Sequence, residues 1–108
     1  MKAKSAIEKG KRFENYLEEF LIKNIDINTR RVRGSGSGVN KGDIFVPKNN
    51  LLIEAKNQYN LKIIEWWEKI KNQCYDEIPV LMVRNPKLSE FKETLVVISL
   101  EDLKELIK

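Results

Sequence analysis

The sequence predicts one α/β domain, a central sheet of about five strands with helices packed on it, in the order α-β-β-β-α-β-β-α. Three observations predict it. The 108 residues are 42% hydrophobic, enough for one modest core and too few for two domains. Two stretches, 5–24 and 61–75, repeat apolar residues at helical spacing, whereas shorter β-rich runs lie between and after them. No internal repeat or linker divides the chain, so residues 1–108 read as a single domain.

In the first helix, 5–24, Phe13, Tyr16, Leu17, Phe20 and Leu21 form the stripe, and Ser5 is a candidate N-cap. Residues 28–33 give a short strand, followed by the loop Gly34-Ser35-Gly36-Ser37-Gly38. Two apolar runs, 43–46 and 51–56, flank Pro47-Lys48-Asn49-Asn50, which is a hairpin signal. The second helix, 61–75, places Ile63, Ile64, Trp67, Ile70 and Cys74 on one stripe. That makes Trp67 a core residue and Cys74 a buried, unreactive one. Trp66 stands at the stripe's edge, as a partner surface or a base-stacking platform. The near-continuous apolar run 78–84 reads as a buried strand, 85–93 as a polar loop and 94–99 as a further strand. A last helix, 101–107, is capped by Ser99.

Composition removes several chemistries. There is no His and one Cys, so His/Cys zinc sites, Ser-His-Asp triads, Cys-His pairs and intrachain disulfides are excluded. Catalysis would run on carboxylates, Lys, hydroxyls and an oxygen-bound metal. No apolar run reaches the ~20 residues of a membrane helix, and no secretory signal opens the chain. A cytoplasmic protein is expected. The net charge is only +4, but residues 1–41 hold ten basic and five acidic residues against ten and eleven in 42–108. A basic first third points to a polyanion, nucleic acid or an anionic membrane surface, with solubility charge as the plainer alternative. Interspersed Glu8, Glu14, Glu18 and Glu19 weaken the membrane option.

Hairpin arithmetic supplies the chemistry. A turn centred on Lys48-Asn49 pairs Val46 with Leu51, Phe45 with Leu52, Ile44 with Ile53 and Asp43 with Glu54. Two carboxylates then face each other with Cβ atoms roughly 4.5–5.5 Å apart, which destabilises a sheet unless a cation or proton lies between them. Strand alternation puts Lys56 on the same face. Hard oxygen ligands without His or Cys favour Mg²⁺, with Mn²⁺ as substitute. On the first helix, with Phe13 at zero, Glu14 falls at about 100°, on the border of the stripe, while Glu18 and Glu19 point further out. Gly10, at about 60°, lies on the packed side, where no side chain obstructs an approaching backbone or phosphate.

KGKRFE (9–14), RGSGS (33–37), GDIFV (42–46), LLIEAK (51–56) and IPVLMV (78–83) together resemble the PD-(D/E)xK nucleases, and in particular the archaeal-type and phage-related Holliday junction resolvases. Gly42 stands where the family's name has Pro, and the loop before Asp43 is slightly longer than in typical members. The resemblance implies a restriction-endonuclease-like fold with a mixed sheet. It implies that Asp43, Glu54 and the Ala55 carbonyl bind Mg²⁺, with Glu14 completing the site directly or through water. Lys56 would position or deprotonate the attacking water, or stabilise charge on the phosphate. Ser35 or Ser37 would hold a phosphate, Gln58 would join the site, and Lys9, Lys11, Arg12, Arg30, Arg31 and Arg33 would track the DNA backbone. The implied activity is Mg²⁺-dependent endonucleolytic cleavage of branched double-stranded DNA at four-way junctions by a homodimer, in DNA recombination and repair. Plainer readings remain beside these: a surface charge cluster at 43, 54 and 56, a helix-surface Glu14, a connector at 34–38 and solvated arginines at 30, 31 and 33. The rival functions are another nuclease on this fold, restriction-like, nicking or repair, and a non-catalytic DNA-binding module.

Overall fold

The computed structural model describes residues 2–32, 43–88 and 90–108. Arg33, Ser35 and Ser37 lie outside the described residues. Helix α1 (Lys2–Asn24) precedes strand β1 (Arg30–Arg31), β2 (Ile44–Val46) and β3 (Leu51–Asn57). Helix α2 (Ile63–Gln73) leads to β4 (Ile78–Arg84), β5 (Leu95–Val97) and α3 (Leu100–Leu106). The strands form one mixed sheet in chain order, antiparallel except for the parallel pair β3–β4, which α2 bridges. The predicted order of elements and sheet type are those observed. Among the described residues no helix is long and apolar enough to cross a membrane.

The central strand is buried on both faces, and each face has its own helix. Phe13, Leu17 and Leu21, at successive four-residue intervals on α1, pack on Ile44, Val46, Ile53, Ala55, Val80 and Met82. Trp66 and Ile70 of α2 pack on Leu52, Leu81 and Val83 on the opposite face. The alternation of β3 therefore assigns Leu52, Glu54 and Lys56 to the α2 side and Leu51, Ile53 and Ala55 to the α1 side.

The β2–β3 register is the predicted one: Ile44 pairs with Ile53, Phe45 with Leu52 and Val46 with Leu51. The connection is a short 3₁₀ turn, Pro47–Asn49, closed by Asn50 in the left-handed region at φ 55°. Asn tolerates that conformation better than other side-chain-bearing residues. Asp26, just after α1, fastens the turn: its carboxylate accepts the Asn28 N–H at 2.9 Å and the Lys48 N–H at 2.7 Å. Those two donors hold Asp26 below the usual carboxylate range.

Several expectations are corrected. Ser5 lies within α1, which begins at Lys2, so it does not cap the helix. Phe20 is 47% exposed, because the buried line is the narrower set Phe13, Leu17 and Leu21. A Cβ on Gly10 would meet nothing within 4 Å, so no packed neighbour requires glycine there. β1 shrinks from the expected 28–33 to two residues, since the Asp26 turn occupies the preceding ones, with Thr29 Oγ1 donating to the Asp26 carbonyl at 2.7 Å. Helix α2 is shorter than 61–75 and rotated from the expected stripe. Trp66 is buried, Trp67 only partly so, and Ile64 is 73% exposed. The sheet side of α2 follows Ile63, Trp66 and Ile70, a three-then-four spacing as helical as the expected one. Trp66 is therefore a core residue and not a surface for a partner or a base. Cys74 is the C-cap of α2 and half-buried. Burial, then Glu77 and Asp102, push its thiol up to about 11, which keeps it protonated and inert. Ser99 does cap α3, accepting the Asp102 N–H.

Candidate active site

Asp43 stands immediately before β2, where its backbone departs from the regular β2–β3 ladder. Its N–H donates to the Ile53 carbonyl at 2.8 Å, and its carbonyl accepts the Val32 N–H at 2.9 Å. Ile53 already pairs with Ile44, so Asp43 and Ile44 both oppose Ile53 in a bulge-like step, and the predicted direct pairing of Asp43 with Glu54 is not the one observed. The Asp43 carboxylate is anchored through Oδ2, which accepts the Ala55 N–H at 2.8 Å. Glu54 occupies the centre of the sheet, where α2 and the flanking strands exclude water, and its side chain is only 8% exposed. Lys56 Nζ is 3.9 Å from Glu54 Oε1 and 5.6 Å from the centroid of the Trp66 ring. The indole that sequence reasoning placed at the helix edge thus forms the floor beneath the ammonium.

Burial, and next the Asp43 charge, push the Glu54 carboxyl up to about 7, against the opposing pull of Lys56 and Lys69. A carboxyl at the middle of a sheet with so high a value accepts a proton or a cation at neutral pH. Glu14 is raised for the same first two reasons, burial and Asp43, while Arg31 and Lys56 lower it. The three acids and one lysine therefore share an electrostatic field, although Glu14 belongs to the helix on the other face.

Arg31 decides how Glu14 takes part. Its guanidinium is 3.2 Å from Glu14 Oε1 and 3.5 Å from Glu18 Oε1, and it also donates to Asn15 Oδ1. Glu18, expected to point further out, is as shielded as Glu14, both side chains being 28% exposed. The signal for it was its four-residue spacing from Glu14 on the same helical line. Among the described residues no three acidic side chains stand close enough to hold one ion together. The set that fits a hard divalent cation is Asp43, Glu54 and the Ala55 carbonyl, all oxygen donors, with Glu14 held back by Arg31. The crowding of two carboxylates against a single long lysine contact is the feature such an ion would relieve.

The remaining sequence-predicted residues are dispersed. Lys11 and Arg12 are exposed on α1, and Lys9 lies on the same helix. Arg30 is exposed on β1, its guanidinium 5.0 Å from the Phe45 ring centroid. Arg31 is engaged by the two glutamates. Gln58 is exposed just past β3, its N–H donating to the Arg84 carbonyl at 3.1 Å. Sequence reasoning gave no role to Arg84 itself, which is 6% exposed. It donates to the Glu90 carbonyl at 3.2 Å, to Asn57 Oδ1 at 3.2 Å and to the Leu88 carbonyl, and it lies 4.7 Å from the Phe91 ring centroid. It thereby clamps the 85–93 loop to the end of β3, the strand that carries the acids.

A family model described as "Phage putative PDDEXK endonuclease" matches residues 5–108. Comparison with curated proteins and comparison with solved structures give no significant match.

Proposed function

The chain belongs to the phage PDDEXK endonuclease family, a group of PD-(D/E)xK-type nucleases, and we propose from that premise a metal-dependent endodeoxyribonuclease acting at four-way DNA junctions. One observation carries the catalytic assignment. Asp43 is anchored on the Ala55 N–H next to Glu54, with Lys56 beside a Glu54 carboxyl that burial and the Asp43 charge have raised to about 7. Asp43, Glu54 and the Ala55 carbonyl would hold Mg²⁺, or Mn²⁺ in its place. Such an ion supplies Lewis acidity at the phosphate and a bound water of lowered pKa. Lys56, fixed between Glu54 and the Trp66 face, directs its ammonium at the nucleophilic water or the charge gathering on the phosphate. Glu14 orients a water at the rim, and its pairing with Arg31 sets its position.

DNA would run along the basic N-terminal third. Lys9, Lys11, Arg12, Arg30 and Arg33 track phosphates, Ser35 or Ser37 holds one, and Gln58 borders the site. Arg31 contributes through Glu14 more than through phosphate. Cleavage of paired strands at a junction calls for two sites related by a two-fold axis, so the working unit is a homodimer. The edge strand β5, with Leu95 and Val96 more than half exposed, supports that assembly. Junction selectivity, a role in recombination and repair, and action in the cytoplasm of a prokaryotic or phage-infected cell follow the resolvase resemblance.

The test is cleavage of a synthetic four-way junction, a linear duplex and a single strand in Mg²⁺ and in Mn²⁺. Paired symmetric nicks on the junction support resolution. Equal cutting of linear duplex points to a restriction-like, nicking or repair nuclease, and no cleavage in either ion to a non-catalytic DNA-binding module. Asp43→Asn abolishes cleavage while leaving junction affinity nearly intact, because affinity rests on phosphate contacts. An active Asp43→Asn protein would overturn the site.

A further inference from the structure

Beside Glu54, on the α2 face of the sheet, lies an open cleft of about 530 Å³. Phe45 follows Asp43 by two residues and Leu52 precedes Glu54 by two, and both line the cleft. Leu52 is one strand repeat from Glu54, roughly 6.5–7 Å. The volume falls in the ordinary range for small-ligand sites.

Three features define what would occupy it. The cleft offers flat, accessible surfaces: Tyr75 is 97% exposed, and Arg30 is stacked over Phe45 at 5.0 Å. Two of its lining residues, Gln73 and Arg31, each carry a buried side-chain polar atom that lacks a hydrogen bond among the described residues, Gln73 Oε1 and Arg31 Nε. Arg31 Nε has the Glu18 carboxylate at 3.5 Å, whereas the Gln73 oxygen is an unmatched acceptor. Glu77 completes the lining, its carboxylate accepting the Tyr75 N–H at 2.6 Å. With Arg31 engaged by Glu14 and Glu18 and Arg30 over Phe45, Glu77 and the Gln73 amide oxygen favour a planar group with N–H donors.

We infer that this cleft takes one unpaired nucleobase bearing an amino group, belonging to the nucleotide next to the phosphate held at Asp43 and Glu54. The inference rests on the nuclease reading, which puts that phosphate there. The base stacks against Tyr75 and the Arg30–Phe45 pair, and a rotation of the Gln73 amide brings Oε1 to the amino group. In continuous duplex the base must first leave its stack and its pair, whereas at a fork or junction it is already free. The cleft thus turns DNA distortion into substrate choice without reading an extended sequence.

The test uses the full chain and forked DNA carrying 2-aminopurine, a fluorescent amino-bearing base, placed in turn at each unpaired nucleotide near the branch. Binding quenches one position in the wild-type protein. Tyr75→Ala abolishes the quenching and weakens fork binding roughly 5- to 100-fold, the range for losing one base–aromatic stack. Continuous-duplex binding is unchanged by that substitution. Gln73→Leu removes a roughly fivefold preference for 2-aminopurine over the same purine without its amino group. Absence of quenching at every position, equal quenching by Tyr75→Ala, or an undiminished preference in Gln73→Leu would overturn the cleft. Quenching by a wild-type protein that cleaves nothing would uphold the cleft and defeat the nuclease reading; cleavage without quenching would do the reverse.

Discussion

Replacing Glu54 by Gln probes the proposed metal site without any assay of cleavage. In the unfolded chain this carboxyl ionises near its ordinary value of 4.5, while in the folded protein burial and Asp43 hold it at about 7. Folding is therefore unpenalised at Glu54 below about pH 4.5. As pH rises from there to about 7 the unfolded chain gives up the proton and the folded one keeps it, so stability falls, then levels off once both forms are ionised. At about 1.4 kcal/mol per pH unit the full loss is on the order of 3 kcal/mol. Glu54→Gln has no such titration, and the long Lys56 contact it gives up offsets only a small part. Urea unfolding of both proteins with EDTA at pH 5 and pH 8 reads the difference, and titrations of groups remote from Glu54 cancel. The variant is expected to match wild type at pH 5 and to exceed it by about 2–3 kcal/mol at pH 8. Mg²⁺ then restores wild-type stability at pH 8 and does little for the variant, since only a ligand that binds the folded form shifts the equilibrium. Parallel stability curves for the two proteins, or an equal Mg²⁺ effect on both, would refute the reasoning.

Three further outcomes are expected. Arg84→Met leaves the Glu90 and Leu88 carbonyls and the Asn57 amide without their donor and loosens the 85–93 loop. At about 1 kcal/mol for each lost partner it destabilises by about 2–4 kcal/mol, measured by urea unfolding. Trp66→Ala empties the floor under Lys56 and costs about 3–5 kcal/mol, whereas Trp67→Ala costs clearly less, as thermal melts of the two variants would show. Asp26→Asn removes a carboxylate held below its ordinary value of 3.8 by two backbone donors. Its contribution is fully present above that value and lost as pH falls through the folded value. The gap in stability between wild type and Asp26→Asn is therefore wide at pH 7 and closes below about pH 4, which an acid-unfolding series followed by circular dichroism checks.

Much of the site was legible because a hairpin with one register obeys simple arithmetic. Once Pro47–Asn50 is the turn and both flanking runs are apolar, Ile44 must face Ile53, and Asp43 falls at the same end of the hairpin as Glu54, although it shares Ile53 with Ile44 and does not pair with Glu54 directly. The period of two then carries Lys56 to the same side. The α2 stripe was less legible for the opposite reason. Trp66 and Trp67 are adjacent, each completes a helical spacing with Ile63 and Ile70, and no local rule prefers one. The choice was made by the space that Leu52, Leu81 and Val83 leave for a ring. Arg84 ended a run read simply as buried strand, and only the return of the 85–93 loop over β4 supplies the carbonyls that make its burial tolerable.

The sequence by itself determined the order of elements, the pairing of β2 with β3 and the chemical types available to the site, since these depend on periodicity and on which residues are absent. The tertiary structure alone decided that Arg31 is drawn onto Glu14 and Glu18, that Glu54 is dry enough to hold a proton near neutrality, and that Gln73 and Tyr75 reach the strand beside the acids. Charge pairing and desolvation depend on what surrounds a group in space, and the groups concerned come from α1, β1 and the end of α2, segments far apart along the chain.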